Sequence, residues 1–171
     1  MTLVDDMRVY IANLGKYNDG YLVGDWFSFS IDEEEVAECI RLNNSYEEYV
    51  VHDTENFPIE IGEYVLIEQL NEMYGIICEL SDYITNALDE FVSHYGSLEE
   101  VYEHKDDVYF YLDYDNMTDL AYYFIFIEEM KTLGEIPPQL QNYIDYEAYG
   151  RDLSFEGTFI ETSRGICEIR Y

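Results

Sequence analysis

The main shortage in the sequence is of positive charge. Its 171 residues contain 8 Lys and Arg against 38 Asp and Glu, which gives a formal net charge of −30 at pH 7 and a pI near 4.1. No Lys or Arg occurs from residue 42 to residue 104, a stretch that contains 15 carboxylates. Proteins that bind phosphates do so through clustered Lys and Arg. We therefore expect neither a nucleic acid nor a membrane as a partner, and we expect the partner to be basic.

Cysteine and long apolar runs are also scarce. The three cysteines are an odd number at wide spacing without a Cys-x-x-Cys pair, which favours free thiols and indicates a reducing compartment. The longest apolar run, residues 120–127, has eight residues, whereas a spanning helix needs about 20. Residues 1–7 are acidic and lack the apolar segment of a signal peptide. The sequence thus predicts a cytoplasmic protein without a membrane span.

The sequence nevertheless contains enough apolar material for a folded core. Hydrophobic residues make up 48% and aromatic residues 17%, whereas disordered acidic tails are poor in aromatics. Strand-like segments at both ends flank a middle with helical periodicity. The predicted strands are residues 8–13, 26–30, 47–53, 108–112, 158–161 and 166–169. We predict an α+β fold of three small domains: an α+β domain 1–62, an acidic helical domain 63–104 and an α+β domain 105–171.

Capping signals and apolar periodicity locate the helices. Asp32, with Glu35 three residues later, predicts the start of a helix that buries Val36 and Ile40. In the middle block, one apolar stripe consists of Leu66, Ile67, Leu70, Met73, Tyr74 and Ile77. A second stripe, in a single helix that ends at Gly96, consists of Ile84, Ala87, Leu88, Phe91 and Tyr95. Short helices are also predicted after Ser97, at Pro137–Pro138 and at 145–153, with an apolar segment from Thr118 to Met130.

The acidic residues of the middle block lie on helical faces opposite the apolar stripes. Glu68, Glu72 and Glu79 share one such face, and like charges four residues apart destabilise a helix by a few tenths of a kcal/mol per pair. One interpretation is general solubility or adaptation to salt. The other is imitation of a polyanion: duplex DNA has one charge per 1.7 Å of axis, so thirty charges match roughly 50 Å, or about 15 base pairs. Both interpretations remain open on charge alone.

Under the second interpretation the middle block and its borders form a partner-binding acidic surface. Its predicted members are Glu47, Glu48, Asp53, Glu55, Glu60, Glu63, Glu68, Glu72, Glu79, Asp82, Asp89, Glu90, Glu99, Glu100, Glu103, Asp106, Asp107, Asp113, Asp115 and Asp119.

Signatures of catalysis and metal binding are weak. Asp113, Asp115 and Asp119 are spaced like the start of a calcium loop, but Thr118 stands where the loop needs glycine and Phe124 where it needs glutamate. The three histidines are isolated from other metal ligands. A pair of carboxylates for hydrolysis cannot be selected among 38 candidates. We therefore predict no metal site, no cofactor and no catalytic residue.

Three segments resemble the ArdA antirestriction family, whose members are DNA mimics from plasmids and conjugative transposons. The segments are Arg8–Gly24 (RVYIANLGKYNDGYLVG), Glu47–Asp53 (EEYVVHD) and Tyr143–Leu153 (YIDYEAYGRDL). The resemblance implies an elongated, curved, acidic homodimer of three domains. It also implies that the protein occupies the DNA-binding groove of type I restriction-modification enzymes, formed by their specificity and modification subunits, so that incoming mobile DNA escapes cleavage.

Dimerisation through the C-terminal region, roughly Lys105–Tyr171, is a further implication of the resemblance. The apolar run supplies the predicted contacts: Leu120, Tyr123, Phe124 and Ile127. If the run is helical, it is apolar on every side and needs cover, from a second copy or from the same chain. Two other functions stay open, a carboxylate-dependent hydrolase and an acidic chaperone for a basic protein.

Overall fold

The computed structural model describes residues 6–126, 136–156 and 159–170. The chain forms two compact units, Met1–Asp89 and Glu90–Tyr171. Helices and small antiparallel sheets occur together, which confirms the predicted α+β class. The boundary between the units falls inside a helix of the predicted middle domain. The three-domain division at residues 62 and 104 stays a prediction.

The first unit is built on a three-stranded antiparallel sheet. Its strands are β1 (Arg8–Asn13), β2 (Gly24–Ser28) and β3 (Tyr49–Glu55), in the order β2-β1-β3. Val9 pairs with Phe27 on one side and with Thr54 on the other, and the register shifts after Tyr10. Val9, Ile11 and Asn13 of β1 are buried on the face that packs on the core, and Ala12 is buried as well, whereas Arg8 is exposed and Tyr10 half-buried. The three strands predicted near residues 8–13, 26–30 and 47–53 are confirmed.

Two helices flank β2 in the chain, and the second of them packs on the buried face of this sheet. A short helix, α1 (Leu14–Asn18), leads into β2, and α2 (Glu33–Cys39) follows it. The Asp32 carboxylate accepts a hydrogen bond from the Glu35 amide at 3.0 Å, as the capping signal predicted. The core then forms between β1, β2, β3, α2 and the start of the next helix, from Val9, Ile11, Phe27, Ile31, Val36, Ile40, Val51, Ile67 and Leu70.

The middle of the chain is helical, as predicted, but its second helix is divided. The helices are α3 (Ile67–Glu79), α4 (Asp82–Thr85), α5 (Leu88–Tyr95) and α6 (Leu98–Glu103). A single helix through residue 86 was expected, because the apolar spacing continues across it. The Asn86 side chain instead donates to the Asp82 carbonyl oxygen, a local bond of the kind that competes with helix continuation. The apolar side chains on both sides of the break are nevertheless buried.

One member of the first apolar stripe was placed wrongly. Leu66 precedes α3 and is 54% exposed, whereas Ile67, Leu70 and Ile77 are buried. The reason is that residue 66 has extended backbone, with ψ near 149°. Helical spacing therefore does not apply to it, and its side chain points away from the core.

The second unit contains another three-stranded antiparallel sheet. Its strands are β4 (Val108–Tyr111), β5 (Phe159–Thr162) and β6 (Gly165–Ile169), in the order β4-β6-β5. The helices are α7 (Met117–Phe126), α8 (Pro138–Gln141) and α9 (Tyr146–Phe155). These elements match the predicted ones; Thr158 and the expected end at Met130 lie outside the described residues. A core of Tyr111, Met117, Leu120 and Ile166 joins sheet and helices.

Glycine permits the closest helix contact in this unit. A β-carbon at Gly150 of α9 would lie 2.5 Å from the Met117 carbonyl oxygen at the start of α7. No other residue fits this contact without moving one helix.

Candidate functional site

The predicted acidic surface is accessible to solvent. Every member of the set from Glu47 to Asp119 is exposed except Asp107, which is partly buried. The exposed carboxylates come from strands, helices and loops of both units.

Helix α3 arranges three carboxylates of the first unit in a row. Ile67, Leu70 and Ile77 anchor one face of the helix in the core, which turns Glu68, Glu72 and Glu79 outward. With a rise of 1.5 Å per residue, Glu68 and Glu72 stand about 6 Å apart along the axis, and Glu79 follows after about 10 Å. The spacing of Glu68 and Glu72 is comparable to that between neighbouring phosphates of a nucleic acid strand.

Helix α6 presents a similar group in the second unit. Leu98 and Val101 are buried, and the Ser97 hydroxyl accepts a hydrogen bond from the Glu100 amide at 3.2 Å. Glu99 and Glu100 lie in the first turn, where the helix dipole stabilises negative charge. The cap and the dipole therefore stabilise this acidic turn.

Basic side chains neutralise only a small part of the acidic surface. The Arg8 guanidinium pairs with Glu55, and Arg170 pairs with Glu168 at 2.7 Å. The His104 ring lies 2.8 Å from an Asp107 oxygen and 3.9 Å from a Glu100 oxygen. Even if each of the 8 Lys and Arg neutralised one of the 38 acids, 30 would remain. Such a surface attracts cations and repels nucleic acid.

A tyrosine fixes one corner of the first unit beside these acids. The Tyr46 ring packs on Gly15, and the Lys16 ammonium lies 4.5 Å from the ring centroid. The Tyr46 hydroxyl donates to the Asp19 carboxylate at 2.7 Å, and this bond together with the negative charge raises the pKa of Tyr46. This corner fixes the direction of the backbone that continues through Glu47 and Glu48 into β3.

Two of the segments singled out in the sequence meet at this corner. Arg8–Gly24 runs from β1 through α1 to the start of β2, and Glu47–Asp53 runs into β3, which pairs with β1. Asn13 joins them to α2: it accepts from the Lys16 amide and donates to the Ile40 carbonyl oxygen at 3.1 Å, fully buried. The residues of these two segments therefore stabilise the fold of the first unit.

A comparison with known protein families confirms the resemblance seen in the sequence. A family model described as antirestriction protein (ArdA) matches residues 9–168, which is nearly the whole chain. The chain belongs to the ArdA family of antirestriction proteins. No curated protein sequence matches it. ArdA proteins are inhibitors that interact with restriction-modification enzymes. Neither the hydrolase nor the chaperone for a basic protein gains support from this membership.

Most of the residues predicted for a dimer interface of the ArdA family pack against other residues of the same chain. Leu120 is fully buried in the core of the second unit, and Tyr123 and Phe124 pack partly against that core. Ile127 lies outside the described residues. The apolar run is thus covered at least in part by its own chain, and the interface stays a prediction.

One of the aspartates that resembled a calcium loop, Asp119, has another role. Asn116 accepts a hydrogen bond from the Asp119 amide at 3.0 Å and donates to the Asp119 carboxylate at 2.7 Å. These bonds form the start of α7. Within residues 6–126, 136–156 and 159–170, no group of three His, Cys, Asp or Glu side chains could hold a metal ion. No helix in the same ranges is long and apolar enough to cross a membrane.

Sequence reasoning missed an open groove at the edge of the first unit. The groove encloses about 430 Å³ and is lined by Leu14, Glu47, Glu48, Tyr49, Tyr64 and Leu66. Two of its apolar residues are unusually accessible, with Tyr64 73% and Leu66 54% exposed. The one local signal was a leucine just before a helix start. We call this site the Tyr64 groove.

Proposed function

We propose that this ArdA protein inhibits type I restriction-modification enzymes as a DNA mimic. Its acidic surface occupies the groove in which the specificity and modification subunits bind duplex DNA. The enzyme then neither holds nor cleaves incoming mobile DNA, such as a plasmid or a conjugative transposon. The observation that carries the proposal is the exposure of all the predicted acids except Asp107, on a chain with 38 Asp and Glu against 8 Lys and Arg.

The energetics of the proposal follow from the charge. A DNA-binding groove contains Lys and Arg, and when these neutralise phosphates the counterions condensed on the DNA are released. Carboxylates at comparable spacing engage the same side chains, so protein and duplex compete for one site. A single exposed ion pair contributes about 0.2–1 kcal/mol. Inhibition therefore depends on many acids together, and no single acid is indispensable.

The experiment is a competition between this protein and labelled duplex for a purified specificity and modification complex. The protein should displace the duplex, and its affinity should fall steeply as salt rises from about 50 to about 200 mM. Simultaneous binding of protein and duplex would refute the proposal.

Charge variants test which acids form the surface. A variant with Glu68→Gln, Glu72→Gln and Glu79→Gln removes three charges from the predicted surface. The matched control, Glu33→Gln, Glu34→Gln and Glu35→Gln, removes three exposed charges from the first turn of α2, outside that surface. The α3 variant should lose more affinity than the control, with each single change costing less than about sixfold. Equal losses would show that only the net charge matters.

A homodimer through residues 105–171 belongs to the same proposal. A second copy would double the acidic surface, and the exposed side chains of Leu140, Tyr143 and Phe155 in the second unit supply apolar area for an interface. Sedimentation of the full chain tests this directly, since a monomer at micromolar concentration would contradict it.

A further inference from the structure

The Tyr64 groove combines exposed apolar side chains with carboxylates. Tyr64 and Leu66 expose apolar atoms at its rim, and Glu47 and Glu48 border it at the start of β3. Among the residues that the structure describes, no Lys or Arg lines it. A carboxylate row without apolar contacts binds any cation loosely. A groove of this composition fits a side chain that is both cationic and flat.

Backbone hydrogen bonds hold the groove in shape. The Leu14 amide donates to the Glu48 carbonyl oxygen at 3.0 Å, and the Val51 amide donates to the Glu63 carbonyl oxygen at 2.8 Å. The Tyr49 hydroxyl accepts a bond from the Ile67 amide at 3.0 Å. These bonds tie three chain segments together at the groove. A ligand therefore meets a site that is already formed and pays little for ordering it.

We propose that the Tyr64 groove binds one arginine side chain of the partner protein and is a hot spot of the interface. The guanidinium stacks on the Tyr64 ring and donates to Glu47 or Glu48, while the methylene stem covers Leu66. Arginine suits the groove better than lysine because its planar group stacks on aromatic rings and binds carboxylates with two hydrogen bonds. The inference rests on the proposed function, in which the partner offers the basic side chains of a DNA-binding groove.

Cation–π contacts between basic side chains and tyrosine rings already occur within this chain. The Lys16 ammonium lies 4.5 Å from the centroid of the Tyr46 ring, and Tyr46 directly precedes Glu47. The guanidinium carbon of Arg170 lies 4.4 Å from the Tyr109 ring centroid. Stacking of this kind is stronger where water is excluded, and an occupied groove excludes it.

Salt dependence separates this contact from the general charge effect. The double variant Tyr64→Ala, Leu66→Ala removes no charge, so it should weaken displacement of duplex by at least about tenfold at every salt concentration. The slope of affinity against salt should remain that of the wild type. Glu47→Gln, Glu48→Gln should instead lower both the affinity and the slope.

The chain offers a matched control in the same unit. Tyr21 is 69% and Leu22 is 63% exposed, and neither lines the groove. Tyr21→Ala, Leu22→Ala should therefore change the affinity by less than about twofold. Tyr64→Phe keeps the ring and should retain wild-type inhibition. If the double variant lowers the melting temperature, the single variant Tyr64→Ala is the deciding test of the hot spot, because the Tyr64 side chain is mostly in solvent.

The outcomes are distinct. If the wild type does not displace duplex, the DNA-mimic proposal is wrong. If the wild type displaces duplex but the groove variants behave like the Tyr21 and Leu22 control, the hot spot is wrong and the mimic stands. A loss seen only at low salt would likewise contradict the hot spot.

Discussion

Two glutamates of α3 allow local and global effects of the acidic surface to be separated. Glu68 and Glu72 are four residues apart on one exposed face, so each repels the other by about 0.2–0.5 kcal/mol. They differ in one respect: Glu68 lies in the first turn of the helix and Glu72 does not. The helix dipole stabilises a carboxylate in the first turn by about 0.3–1 kcal/mol and fades beyond it.

The two changes to glutamine therefore differ in their effect on stability. Glu72→Gln removes repulsion only and should raise the free energy of unfolding by about 0.2–0.5 kcal/mol. Glu68→Gln removes the same repulsion but also the dipole interaction, for a net change between a gain of about 0.2 and a loss of about 0.8 kcal/mol. Repulsion from the rest of the protein cancels in the comparison because each variant loses one charge. Glutamine and glutamate also have similar helix propensities.

Thermal denaturation at low salt, followed by circular dichroism, measures the difference. Glu72→Gln should melt above Glu68→Gln by about 1–8 °C, taking about 4–8 °C per kcal/mol for a unit of this size. The gap should shrink at about 1 M salt, where the Debye length is about 3 Å. Equal melting temperatures, or a higher one for Glu68→Gln, would refute the reasoning. Both variants should inhibit restriction slightly less well than the wild type.

Two further predictions concern stability and thiol chemistry. Gly150→Ala should destabilise the protein by about 1–3 kcal/mol or more in urea denaturation, because its β-carbon meets the Met117 carbonyl. The control Gly75→Ala, in α3 with no atom within 4 Å of the new carbon, should stabilise by up to about 1 kcal/mol; equal effects would contradict the packing argument. Burial raises the pKa of the Cys167 thiol from 9.0 to about 12, whereas Cys39 and Cys78 are exposed. A thiol reagent at about pH 8 should therefore modify Cys39 and Cys78 quickly and Cys167 only after denaturation. Between pH 9 and 12 the unfolded chain loses a proton that the folded one keeps, so stability falls as pH rises; Cys167→Ala should reduce that fall.

Local signals explain why the elements could be predicted from the sequence. Asp32, Ser97 and Asp145 each accept a hydrogen bond from the amide three residues later, and such a cap depends only on neighbouring residues. The division of α4 from α5 was missed because apolar periodicity does not register a break that keeps the same residues buried.

The candidate site was only partly predictable for a different reason. Exposure of the acids follows from their chemistry, since an unpaired carboxylate is costly to bury. The Tyr64 groove, by contrast, joins Leu14, Tyr49 and Tyr64, which are far apart in the sequence. Long-range backbone bonds create it, and no local pattern encodes them. Leu66 could be recognised only once its backbone was seen to be extended.

The contact between Tyr46 and Gly15 has a consequence for evolution. The ring fills the space that a side chain at residue 15 would need, and it also contacts Lys16 and Asp19. A larger residue at 15 is compatible only with a smaller one at 46, so the two positions should co-vary among homologues. Apart from Asp19, which is bonded to Tyr46, the acids around them are under no such pairwise constraint and are free to move along the surface. Divergent members of the family should therefore share this corner more than they share any one carboxylate.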